Sequence, residues 1–513
     1  MNTAKKILTL AKLISIIEQL KKEGKIICHC HGVFDVLHIG HHRHFKMAKE
    51  IGDVLVVTLS PDRFVDKGNG RPIFSQELRL EQIADLEFVD FVALNETPTA
   101  VEIILQIKPN FFCKGEEFAG GKDDVAKIGA IQKEKDAVES VGGKIYYTPT
   151  GMSNVSSTKI ANAHLGIFSK QQKDFLEQLK KNFNLQQILN FFEDFKKLKV
   201  LLVGESIFDK YVYVMPLGKS PKDNNLSVNP IREELFGGGI ISCANMIANL
   251  CENVSMMSAI GDNDLDKAWL QKQLNTNIHY LLFSDSKDTA IKRSRFLDVS
   301  YEHKLFETID LPEQKNISEK VEQKILECLC QILEQYDLVI AMDYGYNLMT
   351  DKIRALLMEK SKFLSISAET NPYNIGFNLL TSKYQQANFV CLGEQEIRLT
   401  THDMNSNMPV VIEKLLANIN CKQLVVTLGH KGLIACDRNK LIEIPAFSKK
   451  VLDTTGADDV CFSVSALCAK INTPAIITGF IGNIAGALAV EIMGSHKNIP
   501  ALSIRKSIKT LMQ

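Results

Sequence analysis

The residues best placed to do chemistry begin at His31–His41, which read HGVFDVLHIGH. His38 and His41 stand three positions apart, just after an apolar run, Lys25–Cys30, and a glycine-containing turn. In a strand–loop–helix unit this spacing sets both imidazoles on one face of the helix's first turn, beside backbone N–H groups that no helical bond satisfies. Such a corner favours anions, because the helix start carries partial positive charge. Two histidines add donors that can follow charge onto a phosphate as a bond breaks. The same stretch opens with Cys28-His29-Cys30-His31, which invites a metal reading. Alternate strand residues point to opposite faces, so four in a row do not converge on one ion, and no protein metal site is expected there.

Around this corner the pattern is that of a layered α/β protein. Strand-like runs at Val54–Leu59, Phe88–Leu94, Phe111–Cys113 and Lys144–Tyr147 alternate with helical stretches. That alternation predicts a parallel sheet covered on both faces over residues 25–165. Residues 166–197 are rich in Lys, Gln and Phe, helical in period, and read as a helical linker. Lys199–Gly204 (KVLLVG) opens a second α/β unit, 198–513. A chain of 513 residues is too long for one core and fits two or three domains.

The first 24 residues place Ile7, Leu10, Leu13, Ile14, Ile17 and Leu20 at helical spacing, with Gly24 as a stop. This reads as an amphipathic helix packed on the first domain, not as a cleavable targeting peptide. No run reaches the roughly 18 apolar residues that span a membrane. Sixty basic residues balance sixty acidic ones, so no global field points to nucleic acid or an anionic membrane. Twelve scattered cysteines, many in apolar runs, suggest reduced thiols in a cytoplasmic protein. The apolar faces of 1–24 and 166–197 could also pair two copies as a homodimer.

The HxGH segment, with its Gly32-Val33-Phe34-Asp35 approach, resembles the signature of the cytidylyltransferase-like nucleotidyltransferases. Further pieces follow in that family's order: a basic, glycine-rich loop at 66–72 carrying Lys67 and Arg71, Lys114-Gly115 at a strand end, and Val155–Ile160, similar to the late ISSTxI motif. The resemblance implies a Rossmann-like fold in which an acceptor phosphate attacks the α-phosphorus of a nucleoside triphosphate and pyrophosphate leaves. It assigns His38 and His41 to charge stabilisation, and Gly32, Phe34, Lys67, Arg71, Lys114, Ser156, Ser157 and Thr158 to nucleotide and phosphate contacts, with Mg2+ shielding the triphosphate.

Leu452–Asp459 (LDTTGADD) resembles the DTxGAGD signature of the ribokinase/PfkB-like carbohydrate kinases. This implies a ribokinase-like α/β fold, an anion hole at Thr455, Gly456 and Ala457, and Asp459 as the base toward a sugar hydroxyl. Family-like pieces place Asp209, Gly238, Gly239 and Asn245 on the sugar side, and Glu396, Thr427, Gly429, Gly432 and Asn483 on the nucleotide side. Three positions depart from the pattern. Asp458 replaces the second glycine of GAGD, Gly393 replaces the asparagine of NxxE, and the asparagine after the diglycine is displaced, with Ser242 near its place. A carboxylate beside a triphosphate adds repulsion.

Fusion of these folds resembles the bifunctional enzymes that make nucleotide-activated heptoses, with the domain order reversed. The expectation is a sugar-phosphate kinase and sugar-1-phosphate nucleotidyltransferase using ATP, or CTP as nucleotidyl donor. The alternative keeps the transferase active and makes the kinase fold a sugar-binding or scaffolding module.

Overall fold

Residues 25–32 switch from a charged turn to an apolar run, and that run becomes the central strand of a five-stranded parallel sheet. Its strands are β1 (Ile27–Gly32), β2 (Val54–Leu59), β3 (Phe91–Leu94), β4 (Phe111–Gly115) and β5 (Lys144–Thr148). They lie in the order β3-β2-β1-β4-β5, every neighbouring pair parallel. The computed structural model describes residues 3–65, 71–116, 125–149, 168–261, 264–285, 291–301, 303–311, 317–346, 348–437, 440–448, 450–494 and 499–512.

Burial on both faces explains the nearly continuous apolar sequence of β2. Val54 and Val56 join one core with Leu13, Ile17, Ile104 and Phe112. Leu55 and Val57 join the opposite core with Cys28, Cys30, Phe45 and Cys113. The amphipathic N-terminal segment forms a short helix at Thr3–Lys6 and a longer one at Leu10–Lys22, which buries Leu13 and Ile17. Between them Ile7 makes a parallel bridge to Val92, at the edge of the sheet. Gly24, at φ 78°, turns the chain out of the helix.

The chain divides into two compact units, 1–169 and 170–512. The stretch read as a linker forms helices Lys170–Asn182 and Leu185–Lys197, and both pack into the second unit. Phe175 lies against Phe447 and Phe480, and Arg505 pairs with Glu193 at 3.1 Å. The Phe and Leu positions of this segment are therefore core of the second unit.

The second unit carries two sheets. Its strands are β6 (Lys199–Gly204), β7 (Ser206–Lys219), β8 (Leu226–Gly239), β9 (Asn253–Gly261), β10 (Ile278–Asp285), β11 (Ile291–Asp298), β12 (Lys304–Asp310), β13 (Leu338–Asp343), β14 (Leu364–Ala368), β15 (Phe389–Gly393), β16 (Gln423–Thr427), β17 (Leu433–Asp437) and β18 (Lys440–Ile444). Nine form a large sheet ordered β10-β9-β6-β13-β14-β15-β16-β17-β18. It is parallel through β16 and antiparallel at β17 and β18. The other four make a smaller sheet, β12-β11-β7-β8, whose long β7–β8 hairpin leaves the large sheet directly after β6. Helices Ala457–Lys470 and Ala475–Ala489 are buried along nearly their whole length, as their apolar, small-residue sequences require.

Candidate active sites

In the first unit the connections from β1 and β4 diverge, so a crevice opens at their carboxyl ends; open α/β sheets bind ligands at such switch points. Gly32 ends β1, and a Cβ there would sit 2.9 Å from the Phe34 ring, which folds back beneath it. His38 caps the helix Ile39–Glu50, its Nδ1 accepting from Gly40 N–H at 3.1 Å. The proton of its neutral ring therefore resides on Nε2. His41 stacks on it with ring centroids 3.9 Å apart and planes 24° apart. Phe34, buried at φ 47°, meets His41 edge-on at 5.4 Å and Phe45 at 4.8 Å. Phe34 thus packs as a prop against His41 of the histidine pair.

Asp35 turns inward from the same loop. Its Oδ1 accepts from Ile73 and Phe74 N–H at 2.6 and 3.0 Å, and its Oδ2 meets Arg71 Nε at 2.5 Å, both side chains being buried. Arg71 is committed to this pair, although its Nη1 and Nη2 have no hydrogen-bond partner among the described residues. Lys114 pairs with Glu134 at 2.8 Å. Lys67, Ser156, Ser157 and Thr158 lie outside the described residues.

One arrangement in this unit was not legible beforehand. His29 Nε2 and His31 Nδ1 both bond Thr58 Oγ1, at 2.8 and 2.9 Å, and Ser60 Oγ lies 3.4 Å from His31 Nε2. One hydroxyl has a single proton, so the two rings take complementary roles toward it. Burial, then the charge of Lys114, pushes His31 down to about 3, and burial pushes His29 down as well. Strand alternation sends Cys28 and Cys30 into the core on the opposite face. Among the described residues no group of three or more metal-ligating side chains converges.

In the second unit Asp459 sits in the first turn of the helix Ala457–Lys470, which follows Gly456 at φ 74°. Tyr344, just after β13, donates to Asp459 Oδ1 at 2.8 Å. Glu369, just after β14, hydrogen-bonds the same carboxyl, and burial raises both acids. Nothing in the sequence pattern singled out Glu369; its one signal was a position at the carboxyl end of an apolar strand. Asn371 and Asn374 both donate to Tyr344 O at 2.8 Å, and Asn378 donates to Asp343 O at 2.8 Å, so the loop after β14 is fastened over the strand ends.

Glu396, Thr427, Gly429, His430, Lys431, Gly393 and Asp458 line a cleft of about 410 Å3, within the range of small-molecule sites. Gly393 is where the family's asparagine would stand, and a Cβ there would lie 2.4 Å from Glu396 Oε2. Asp458 opens into the cleft, yet its walls strip away enough water to raise its carboxyl; the Glu396 carboxyl is raised first by burial and further by Asp458. Gly432 at φ 100° allows β17 to pass Ile444 O, 2.1 Å from where a Cβ would stand.

The DTT segment is held by Asp453. It accepts from Tyr211 Oη at 2.7 Å, Lys304 Nζ at 2.6 Å, and the N–H groups of Thr455 and Gly494 at 3.0 Å each. On the sugar side, Asp209 of β7 pairs with Arg295 at 2.5 Å and packs on Gly238, where a Cβ would lie 2.2 Å from its Oδ2. Gly239 turns into the next helix at φ 57°.

A carbohydrate-kinase model described as pfkB matches residues 197–502, more than half of the chain. The chain belongs to the pfkB family of carbohydrate kinases. A cytidylyltransferase-like model matches residues 29–163, ahead of the pfkB domain. Curated relatives include the bifunctional protein HldE of Campylobacter fetus, 42% identical over 22% of this chain and 25% of that one. HldE of Trichlorobacter lovleyi is 22% identical over 62% of this chain and 64% of its own. The match thus spans from a quarter to just under two thirds of these relatives' length. Among solved structures, phosphofructokinase-2 from Escherichia coli in complex with potassium is 13% identical at a TM-score of 0.51, covering 62% of this chain and all of that one.

Within the pfkB domain two residues expected at ligands are engaged by hydrogen bonds within the chain. Asn245 is buried, donating to Gln273 O at 2.8 Å and accepting from Asn275 N at 2.9 Å, which ties its amide to the end of the neighbouring helix. Asn483 is buried and donates to Pro445 O at 3.2 Å, pinning the segment after β18. Both asparagines lie inside helices, Ile240–Ala248 and Ala475–Ala489, and bond to segments far along the chain, a placement invisible in a one-dimensional pattern.

Proposed function

We propose that this chain is a bifunctional enzyme that phosphorylates a sugar phosphate and then activates the product with a nucleotide. The pfkB half would use Asp459 to take the proton of an anomeric hydroxyl as its oxygen attacks the γ-phosphorus of ATP and ADP leaves. The cytidylyltransferase-like half would join the new sugar 1-phosphate to the α-phosphorus of ATP or CTP, releasing pyrophosphate and forming a nucleotide sugar of ADP- or CDP-heptose type for surface polysaccharide. The observation that carries the reading is the stacked His38–His41 pair at the switch point, beside a helix start. Both rings there can meet charge that develops on departing pyrophosphate.

Glu396 would fit a Mg2+ ion held mainly by substrate phosphates, for such ions take one or two carboxylates. When bound, it shields the phosphates that the anion hole receives. Pyrophosphate release with a sugar 1-phosphate, abolished in His38→Ala, tests the transferase. ADP formation from ATP and a sugar phosphate, abolished in Asp459→Ala, tests the kinase.

Asp458 supports a second reading, in which the transferase is active and the kinase fold binds sugar or acts as a scaffold. Its carboxylate stands where the family keeps a glycine against the phosphates. No ADP from the wild type, with ADP appearing in Asp458→Gly, would establish that version. All twelve cysteines are unbridged, which supports a reducing, cytoplasmic setting. The balanced charge supports small-molecule rather than nucleic-acid or membrane partners. A homodimer is the assembly we propose, and sedimentation equilibrium tests it.

A further inference from the structure

The last rung of the first sheet turns polar on a face that is otherwise apolar. Strand register brings Thr58 of β2 opposite His31 of β1, and β4 places Lys114 one residue beyond Cys113, the partner of Cys30. In-register neighbours of parallel strands point to one face, so Thr58, His31 and Lys114 share it. One step in from the polar edge, on the same face, stand His29 and the core residues Val56 and Phe112. The polar rung borders the crevice at the carboxyl ends of β1 and β4, and His31 there is only part-buried. It is separate from the stacked His38–His41 pair, which belongs to the helix start at Ile39.

The hydrogen bonds of the two strand imidazoles fix where their protons sit. His29 is fully enclosed, and its Nδ1 has no hydrogen-bond partner among the described residues. Proteins tolerate a buried lone pair without a donor more readily than a buried N–H without an acceptor. The proton of His29 therefore sits on Nε2, which donates to Thr58 Oγ1 at 2.8 Å. The hydroxyl in turn donates to His31 Nδ1 at 2.9 Å, which leaves the single proton of a neutral His31 ring on Nε2. Both rings stay neutral. Burial first, then the charge of Lys114, holds His31 down to about 3, and burial lowers His29 as well. Lys114 is itself paired with Glu134 at 2.8 Å, and the Phe112 ring meets that of His29 at 5.2 Å. Ser60 Oγ stands 3.4 Å from His31 Nε2, longer than a full-strength bond of about 2.9 Å, so a ligand oxygen can displace it.

We propose that the chain His29–Thr58–His31 holds His31 as a neutral Nε2–H donor, and that His31 offers this hydrogen to a phosphoryl oxygen at the crevice. The binding step rests on the transferase reading; the position of the proton does not. A donor fixed in place before the ligand arrives does not have to reorganise when charge moves onto the oxygen. Being neutral, it adds no positive charge that would retain departing pyrophosphate. His29 and Thr58 are positioning residues that act only through His31. The oxygen belongs to the nucleoside triphosphate or to the sugar 1-phosphate, which share this chemistry.

Full-length protein carrying isotope-labelled histidine tests this by proton–nitrogen correlation spectroscopy, with His31→Gln supplying the assignment. Both rings should show their proton on Nε2, and His31 should take up no second proton down to about pH 4. Thr58→Val, which removes the hydroxyl and keeps a branched strand residue, should let the Nδ1–H form of His31 appear. ATP, CTP, glucose 1-phosphate and heptose 1-phosphate, added separately, distinguish the sources, since the ligand that moves the His31 Nε2 signal is the one that holds the oxygen. Affinity for that ligand should fall about 10- to 100-fold in His31→Leu, the range for a lost bond to a charged acceptor. It should fall less in His31→Gln, whose amide still donates, and in Thr58→Val. An Nδ1–H ring in the wild type, a His31 that titrates near the ordinary histidine value, or an unchanged tautomer in Thr58→Val would overturn the assignment. So would a signal unmoved by every ligand, or equal affinity in the wild type and His31→Leu. A signal that moves while no pairing of nucleotide and sugar phosphate releases pyrophosphate leaves the donor standing and removes the transferase activity instead.

Discussion

The imidazoles of His38 and His41 lie face to face, 3.9 Å between centroids, at the carboxyl end of β1. The contact places two proton-bearing rings where a helix start already concentrates backbone donors. His41→Ala should lower the rate of nucleotidyl transfer by about 100- to 1,000-fold, as loss of one preorganised donor to a developing anion does. Pyrophosphate release measures it, and circular dichroism should show an unchanged fold because the ring is only half-buried. Retention of more than a tenth of the rate removes His41 from the mechanism.

The pair Asp35–Arg71 makes a different prediction, because it is buried in the same loop region. Asp35→Ala leaves a guanidinium without its counter-ion, and breaking a buried pair from one side costs about 3–5 kcal/mol. Thermal unfolding of the variant should show the first unit melting roughly 10 °C earlier. An unshifted melting curve means that Arg71 finds compensation elsewhere.

Asp459 has to lose its proton to act as a base, and burial holds its carboxyl above the ordinary aspartate range while the Glu369 hydrogen bond draws it back down. Kinase kcat/KM should therefore fall as pH drops, with its acid limb above the usual aspartate region. Glu369→Leu deletes a donor to the carboxylate and should move that limb up by about one pH unit. Glu369→Gln, whose amide can still donate, should move it less. An acid limb that ignores both changes separates Glu369 from the base.

Asp458 lines the same cleft as Glu396, where we propose the nucleotide binds. Asp458→Gly removes one negative charge from the path of a polyphosphate and should lower the KM for ATP by about tenfold, since ~1.4 kcal/mol of relieved repulsion is modest for charges at this range. Steady-state kinetics at saturating sugar phosphate read it directly. A KM that rises would make the carboxylate part of the metal-bound nucleotide site.

Sequence legibility followed how local the physics was. HxGH, the parallel strands and the GADD helix start were readable because turn chemistry and apolar runs act over a few residues. The backbone partners of Asn245 and Asn483 were not readable, because an asparagine near a glycine motif looks alike whatever it bonds. The helices of 170–197 were visible as helices, yet their Phe175 and Phe192 gave no hint of which core they fill. Glu369 and Arg293 carried almost no sequence signal. Each meets a residue far along the chain, Asp459 and Tyr346 respectively.

Alone, then, the amino-acid order determined that this chain is two α/β layers with a phosphate corner at the front of one and a glycine-led helix start in the other, because periodicity, capping and turn residues are short-range properties. Tertiary structure decided which charges are spent and which are kept. Arg295 pairs with Asp209 while Arg293, two residues earlier, donates to the hydroxyl of Tyr346. That difference depends on which strands become neighbours and how much water folding removes from between them, and no stretch of sequence contains either.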